Sequence, residues 1–134
     1  LDAPCTGLGT LRRHPELKWR RKSADGKSNG KLQTALLNGV APLVKPGGLL
    51  IYAVCSFLPA EGPRVVDQFL ANHSDFTLEP PGQHLDGLAK ELTGRLAAAN
   101  SPLPLHQPGM LLTLPSVLDG DLFFVALLRR DGPE

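Results

Sequence analysis

Residues 49–55, Leu49-Leu50-Ile51-Tyr52-Ala53-Val54-Cys55, form an unbroken apolar run of seven, set off from what precedes it by Pro46-Gly47-Gly48. A run this short between chain breakers reads as a β-strand. Its lack of apolar/polar alternation marks a strand covered on both faces, as in parallel sheets flanked by helices. Helical spacing appears on either side. From Leu32 the apolar positions fall at Leu32, Ala35, Leu36, Gly39, Val40 and Leu43, with Pro42 placed to end or kink the helix. After Pro59 to Pro63, residues 63–73 carry Val65, Val66, Phe69 and Leu70 on one stripe. A buried strand between two amphipathic helices predicts an α/β sheet. Ligands of such sheets lie outside the carboxyl ends of the strands.

The rest of the chain is consistent with a single domain of 134 residues. A short strand is predicted at 76–78. Two apolar runs, 110–114 and 122–128, are separated by the turn residues Asp119-Gly120-Asp121, and the second ends in Arg129-Arg130 as a strand entering solvent would. Residues 80–109 hold five prolines around a helical stretch near 86–99, where Leu88, Leu92 and Leu96 recur, and read as a loop with one helix inserted. Residues 12–30, rich in Arg, Lys, Ser and Gly, read as a mobile connection. No apolar run approaches the roughly 20 residues that span a bilayer, and no signal-peptide pattern is present, so a cytoplasmic location is expected. The chain opens on Leu1-Asp2, without Met and without room for a full strand before Cys5, and reads as a piece of a longer protein.

The chain has two cysteines, fifty residues apart, with no CxxC and no Cys/His cluster, which argues against a disulfide scaffold or a zinc ribbon. A zinc site of Cys5, Cys55 and His14 has too few ligands to stand, and no metal is expected. If Leu1-Asp2 is the tail of one strand and 49–55 is its neighbour, both thiols emerge on the same rim of the sheet. Charge is uneven: residues 1–31 carry eight Lys/Arg against three acids. A basic stretch beside Cys5 would attract a polyanion such as RNA; a solvated loop is the plain alternative. Gly7-Leu8-Gly9 is no dinucleotide fingerprint, because Arg12 stands where the third glycine belongs. Trp19 could stack on a base, although packing is the commoner use of such a residue. His73, His84 and His106 have no partners at ligand spacing and read as surface residues.

Two longer motifs carry a resemblance. Asp2-Ala3-Pro4-Cys5-Thr6-Gly7-Leu8-Gly9-Thr10, with Arg12-Arg13-His14-Pro15-Glu16 and Lys18-Trp19, resembles the fourth motif of the RNA cytosine-5 methyltransferases, in the bacterial RsmB (Sun/Fmu) branch of the NSUN-type superfamily. Lys45-Pro46-Gly47-Gly48, Tyr52-Ala53-Val54-Cys55-Ser56 and Pro59-Ala60-Glu61 resemble the sixth motif, and 119–126 resembles the last strand. The resemblance implies a Rossmann-like class I methyltransferase fold, with residues 1–134 as the C-terminal part of its S-adenosylmethionine-dependent catalytic domain. The first sheet strands and the glycine-rich motif that binds the methyl donor lie outside these residues.

The implied activity is methylation of carbon-5 of a cytosine in RNA, most naturally small-subunit ribosomal RNA. The resemblance assigns the nucleophile to Cys55 and release of the covalent adduct to Cys5. It places Asp2 at the S-adenosylmethionine site, and Arg12, Arg13, His14 and Lys18 are the expected RNA contacts. Two thiols suit this chemistry: addition of one to carbon-6 makes carbon-5 enamine-like, and the adduct must afterwards be undone. The target base must also leave its stack. Three departures stand out: Val54 where a threonine usually precedes the nucleophile, Leu122 in place of a glycine, and Gly26 and Gly30 interrupting what is often a helix. Two other functions fit the residues: a fragment that only binds RNA weakly, and a thiol–disulfide switch formed by Cys5 and Cys55.

Overall fold

The computed structural model describes residues 1–80, 109–115 and 119–132. In chain order these form a 3-10 turn (Leu8–Thr10), the short helix α1 (Leu17–Arg20), the long helix α2 (Ser23–Val40), a second 3-10 turn (Ala41–Leu43), strand β1 (Leu49–Val54), helix α3 (Pro63–Asn72), and strands β2 (Phe76–Leu78), β3 (Met110–Leu112) and β4 (Phe124–Arg130).

Strand β4 is the centre of the sheet. Along one side it pairs antiparallel with β1, from Leu49 opposite Arg129 to Val54 opposite Phe124. Along its other side it pairs with β2 and β3 in succession, Phe76 opposite Arg130 and Met110 opposite Ala126. The outer edge of β1 takes the first residues of the chain. Asp2 bridges Ala53 in parallel orientation, the Ala53 amide donates to the Leu1 carbonyl at 2.9 Å, and the Ala3 amide donates to the Ala53 carbonyl at 3.0 Å. The opening residues thus run parallel to β1 along its outer edge.

Helices α2 and α3 pack on one face of the sheet. Between them and the strands lie Leu37, Leu50, Tyr52, Val54, Val65, Val66, Phe69, Phe124, Ala126 and Leu128, all buried. Full burial of an aliphatic or phenylalanine side chain contributes about 1.5–3 kcal/mol, so this cluster is the main source of cohesion. Pro63 at the start of α3 has its ring-fixed φ already suited to a helix and lacks the N–H that would go unpaired there. Gly47, at φ 70°, makes the left-handed turn that feeds β1.

The strands at 76–78 and in 110–112 and 124–130 and the helix from residue 63 lie where the sequence places them. Five expectations are corrected. The stretch 12–30 is no loose connection, since α2 starts at Ser23. As far as Thr34 this helix buries Gly26, Gly30, Gln33 and Thr34 rather than aliphatic side chains, so an apolar periodicity could not reveal it. Gly26 and Gly30 do not interrupt this helix. They let it approach the chain after β1, because a β-carbon at Gly30 would collide with the Ala60 carbonyl oxygen and one at Gly26 would lie 2.8 Å from Leu58.

Among the described residues strand β1 is covered on one face only: Leu50, Tyr52 and Val54 are buried, while Ile51 is 47% exposed. No helix among the described residues lies over the second face. Arg129 and Arg130 do not simply enter solvent: Arg129 pairs with Glu79, and Arg130 with Asp75 at 2.9 Å. His73 is no bare surface residue, since its ring stacks on Phe69 with centroids 4.3 Å apart and contacts Asn38 Oδ1 at 3.0 Å. The helix expected near 86–99, with His84 and His106, lies outside the described residues.

Candidate active site

At the carboxyl ends of β1 and its parallel neighbour the two cysteines meet. Cys5 Sγ lies 3.0 Å from Cys55 Sγ, within hydrogen-bond distance. Each sulfur sits at a strand tip because the Asp2–Ala53 bridge sets the two extended segments in register. Both cysteines are partly buried, and both are free thiols. Burial pushes the Cys5 thiol up to about 12, the hydrogen bond with Cys55 adding to the effect. Cys5 therefore keeps its proton at neutral pH and can donate it in a hydrogen bond to its neighbour.

Three chain segments close around this pair. Gly7, at φ 75°, turns the chain out of the Cys5 segment. The Gly9 amide then donates to the Cys55 carbonyl at 2.9 Å, and the Leu122 amide donates to the Gly9 carbonyl at 3.0 Å. Only glycine fits at position 9, since a β-carbon there would collide with the Leu122 carbonyl oxygen and lie 2.9 Å from that of Cys55. The Gly7-Leu8-Gly9 sequence thus serves a turn and a close backbone contact. Leu122 makes this contact through its main chain.

Beneath the thiols lies a polar cluster that the sequence did not reveal. Thr6 and Ser56, the residues after each cysteine, are fully buried, as is Glu61. Thr6 donates to Glu61 through its amide at 2.8 Å and its hydroxyl at 2.6 Å, and the Ser56 hydroxyl donates to the same carboxylate at 2.5 Å. From α2, Asn29 donates to Glu61 at 3.1 Å and Gln33 at 3.3 Å; Gln33 also donates to the Pro4 carbonyl at 2.8 Å. Arg21 donates to the Thr6 carbonyl at 2.6 Å, setting a guanidinium beside the Cys5 loop. Glu61 stands in a motif noted from the sequence, but only the folded chain brings it to Thr6, 55 positions away. A recess lined by Ser56, Phe57, Leu58, Met110, Leu112 and Phe124 gives the site an apolar wall.

The other expected residues are arranged around the rim. Asp2 is exposed, and its carboxylate makes no hydrogen bond or ion pair among the described residues. Arg12 and Arg13 face the loop before β4, Arg12 pairing with Asp119 at 2.6 Å and Arg13 gripping Asp121 through two nitrogens. The Arg13 guanidinium holds the Asp121 carboxyl below its ordinary value. His14 Nδ1 lies 3.3 Å from Glu16 Oε1. Lys18 Nζ sits 5.4 Å from the centre of the Trp19 ring. Trp19 does not pack: it is 84% exposed, the opposite of the packing role that its position favoured. The first stretch is thus basic but partly neutralised, with an aromatic ring in solvent.

Comparison with known proteins bears on this arrangement. The family described as 16S rRNA methyltransferase RsmB/F matches residues 1–129. The chain is 41% identical over 130 residues to the probable ribosomal RNA small subunit methyltransferase B of Synechocystis sp., a match covering 97% of the chain and 26% of that protein. It is 48% identical over 130 residues to ribosomal RNA small subunit methyltransferase B of Erwinia tasmaniensis, covering 97% of the chain and 25% of that protein. The crystal structure of PH0851 superposes with a TM-score of 0.79 at 34% identity, over 97% of this chain and 26% of that one. The chain spans about a quarter of the length of the curated relatives it matches.

Proposed function

The chain belongs to the family of 16S rRNA methyltransferases RsmB/F, and from that membership we propose that it is the thiol-bearing, C-terminal part of the catalytic domain of an enzyme that methylates carbon-5 of a cytosine in small-subunit ribosomal RNA. The supporting observation is the 3.0 Å approach of Cys5 and Cys55 at one sheet rim. A rim of this kind is where open α/β sheets bind substrates.

Cys55 is the nucleophile. Its sulfur forms a bond to carbon-6 of the base, and the ring electrons displaced by that bond enrich carbon-5. S-Adenosylmethionine, when bound, supplies the electrophilic methyl group. Asp2 fits a role in holding it, because an exposed carboxylate next to the reactive rim, without an ion pair among the described residues, can accept from hydroxyl or ammonium groups. Once carbon-5 carries the methyl group it loses its proton to a base, and the carbon-6 to sulfur bond breaks with its electron pair returning to Cys55. Cys5, which keeps its proton, donates a hydrogen bond to that departing thiolate and so promotes release. Arg12, Arg13, His14 and Lys18 contact phosphate or base, and the two arginines exchange Asp119 and Asp121 for phosphate oxygens. Phosphate contacts set position and make binding salt-dependent. We place this enzyme in the cytoplasm, where its RNA is found.

Tritium release from RNA labelled at carbon-5 of cytosine tests the reaction. The complete methyltransferase should liberate tritium in step with methyl incorporation, and its Cys55→Ala variant should liberate none. Methyl incorporation without tritium release would place the methyl on another atom and overturn the reading.

A further inference from the structure

One carboxylate reaches both cysteine loops. Glu61 is fully buried. Its Oε1 accepts from the Thr6 amide, and its Oε2 accepts from the Thr6 and Ser56 hydroxyls. Thr6 directly follows Cys5, and Ser56 directly follows Cys55. The same carboxylate is braced from α2 by Asn29 and Gln33, while the Glu61 carbonyl accepts from the Tyr52 hydroxyl of β1 at 2.6 Å. Among the described residues, the groups that hydrogen-bond to the carboxylate are neutral donors. A carboxylate offers about four acceptor positions, enough to bind both loops at once.

We propose that Glu61 is a positioning residue for the two thiols. It fixes Thr6 and Ser56 from below, and thereby sets the separation of Cys5 and Cys55 above. The chemical consequence rests on the function proposed here; the geometric one does not. With Glu61 altered, Cys55 can still add to a base, but Cys5 is no longer held at hydrogen-bond distance from it. Resolution of the adduct suffers more than its formation.

Glu61→Gln in the complete methyltransferase is the first variant, since the amide keeps the size of the side chain and one acceptor oxygen. Dibromobimane, which fluoresces once it bridges two thiols, reads the separation without RNA or methyl donor. Bridging should slow by about 10-fold to 100-fold, the range a misplacement of about an ångström costs, while single-site alkylation of Cys55 and the melting temperature stay close to those of the parent. With RNA and methyl donor present, the ratio of denaturation-resistant enzyme–RNA complex to turnover should rise by a similar factor. Bridging and partition both unchanged would overturn the proposal. If Glu61→Gln fails to fold, Ser56→Ala is the deciding variant: it removes the Ser56–Glu61 hydrogen bond, with the longer contacts of the same hydroxyl to Thr6 Oγ1 and the Leu58 amide, and leaves Thr6 attached to Glu61. It should slow bridging, and bridging at the parental rate would overturn the proposal. If the parent forms no RNA adduct, the assigned reaction fails, yet the bridging result still decides the role of Glu61.

Discussion

Half-buried against a second sulfur, the Cys5 thiol resists ionisation. Burial is the main cause and the hydrogen bond with Cys55 the second, together pushing it up to about 12 from an ordinary 9.0. The folded chain holds this proton to higher pH than the unfolded chain. The resulting stabilisation is complete below the unfolded value and is lost as pH rises through the folded one. In the Cys55→Ala variant of the complete enzyme, where burial persists, the pH midpoint for iodoacetamide labelling of Cys5 should stay above 9.0. A midpoint at or below 9.0 would show that Cys5 is not shielded. The meeting of the two thiols was legible in the sequence, because each ends a short extended segment and strand tips share a rim. The carboxylate beneath them was not. Its partners Thr6 and Asn29 are separated from it by 55 and 32 positions, and no local periodicity encodes such contacts.

Helix α2 shows how an element escapes a search for apolar stripes. Its buried face reads Gly26, Gly30, Gln33, Thr34 and Leu37, helical in spacing but mostly without aliphatic side chains. The glycines permit close approach to the chain after β1, and Gln33 brings an amide to Pro4 and Glu61. Propensity alone would have Gly30→Ala stabilise the helix by about 1 kcal/mol. Because the new methyl group would collide with the Ala60 carbonyl oxygen, Gly30→Ala should instead destabilise the complete protein by about 1–3 kcal/mol, the usual cost of overpacking. Urea denaturation monitored by circular dichroism measures this, and a raised midpoint would contradict the packing described. Helix α3 was legible because Val65, Val66 and Phe69 form an aliphatic and aromatic stripe. For β1 the unbroken apolar run correctly marked a strand, but it did not reveal that one face lacks cover among the described residues. Ile51 belongs to a surface that the sequence alone reads as core.

For the molecule as a whole, the α/β sheet is a part of a Rossmann-like methyltransferase fold, and its rim gathers what the linear motifs hold apart. Two sulfurs, an exposed acid and a basic segment with an exposed tryptophan lie on connected segments around one edge. The acidic loop before β4 closes on that segment through Asp119 and Asp121. The Arg12–Asp119 pair is exposed, so it holds the loop weakly and leaves Arg12 free to exchange partners, whereas the Asp121 side chain of the second pair is largely covered. Fold class and motif order were legible from strand, helix and cysteine placement. The pairing of basic residues with that loop was not, since it depends on chain ends that meet only after folding. Gel analysis of denatured enzyme–RNA complexes tests the proposed division of labour between the two sulfurs. With RNA and methyl donor, Cys55→Ala should give no covalent complex, whereas Cys5→Ala should accumulate one above the parental level. Equal amounts of complex in the two variants, or accumulation with Cys55→Ala, would contradict the account.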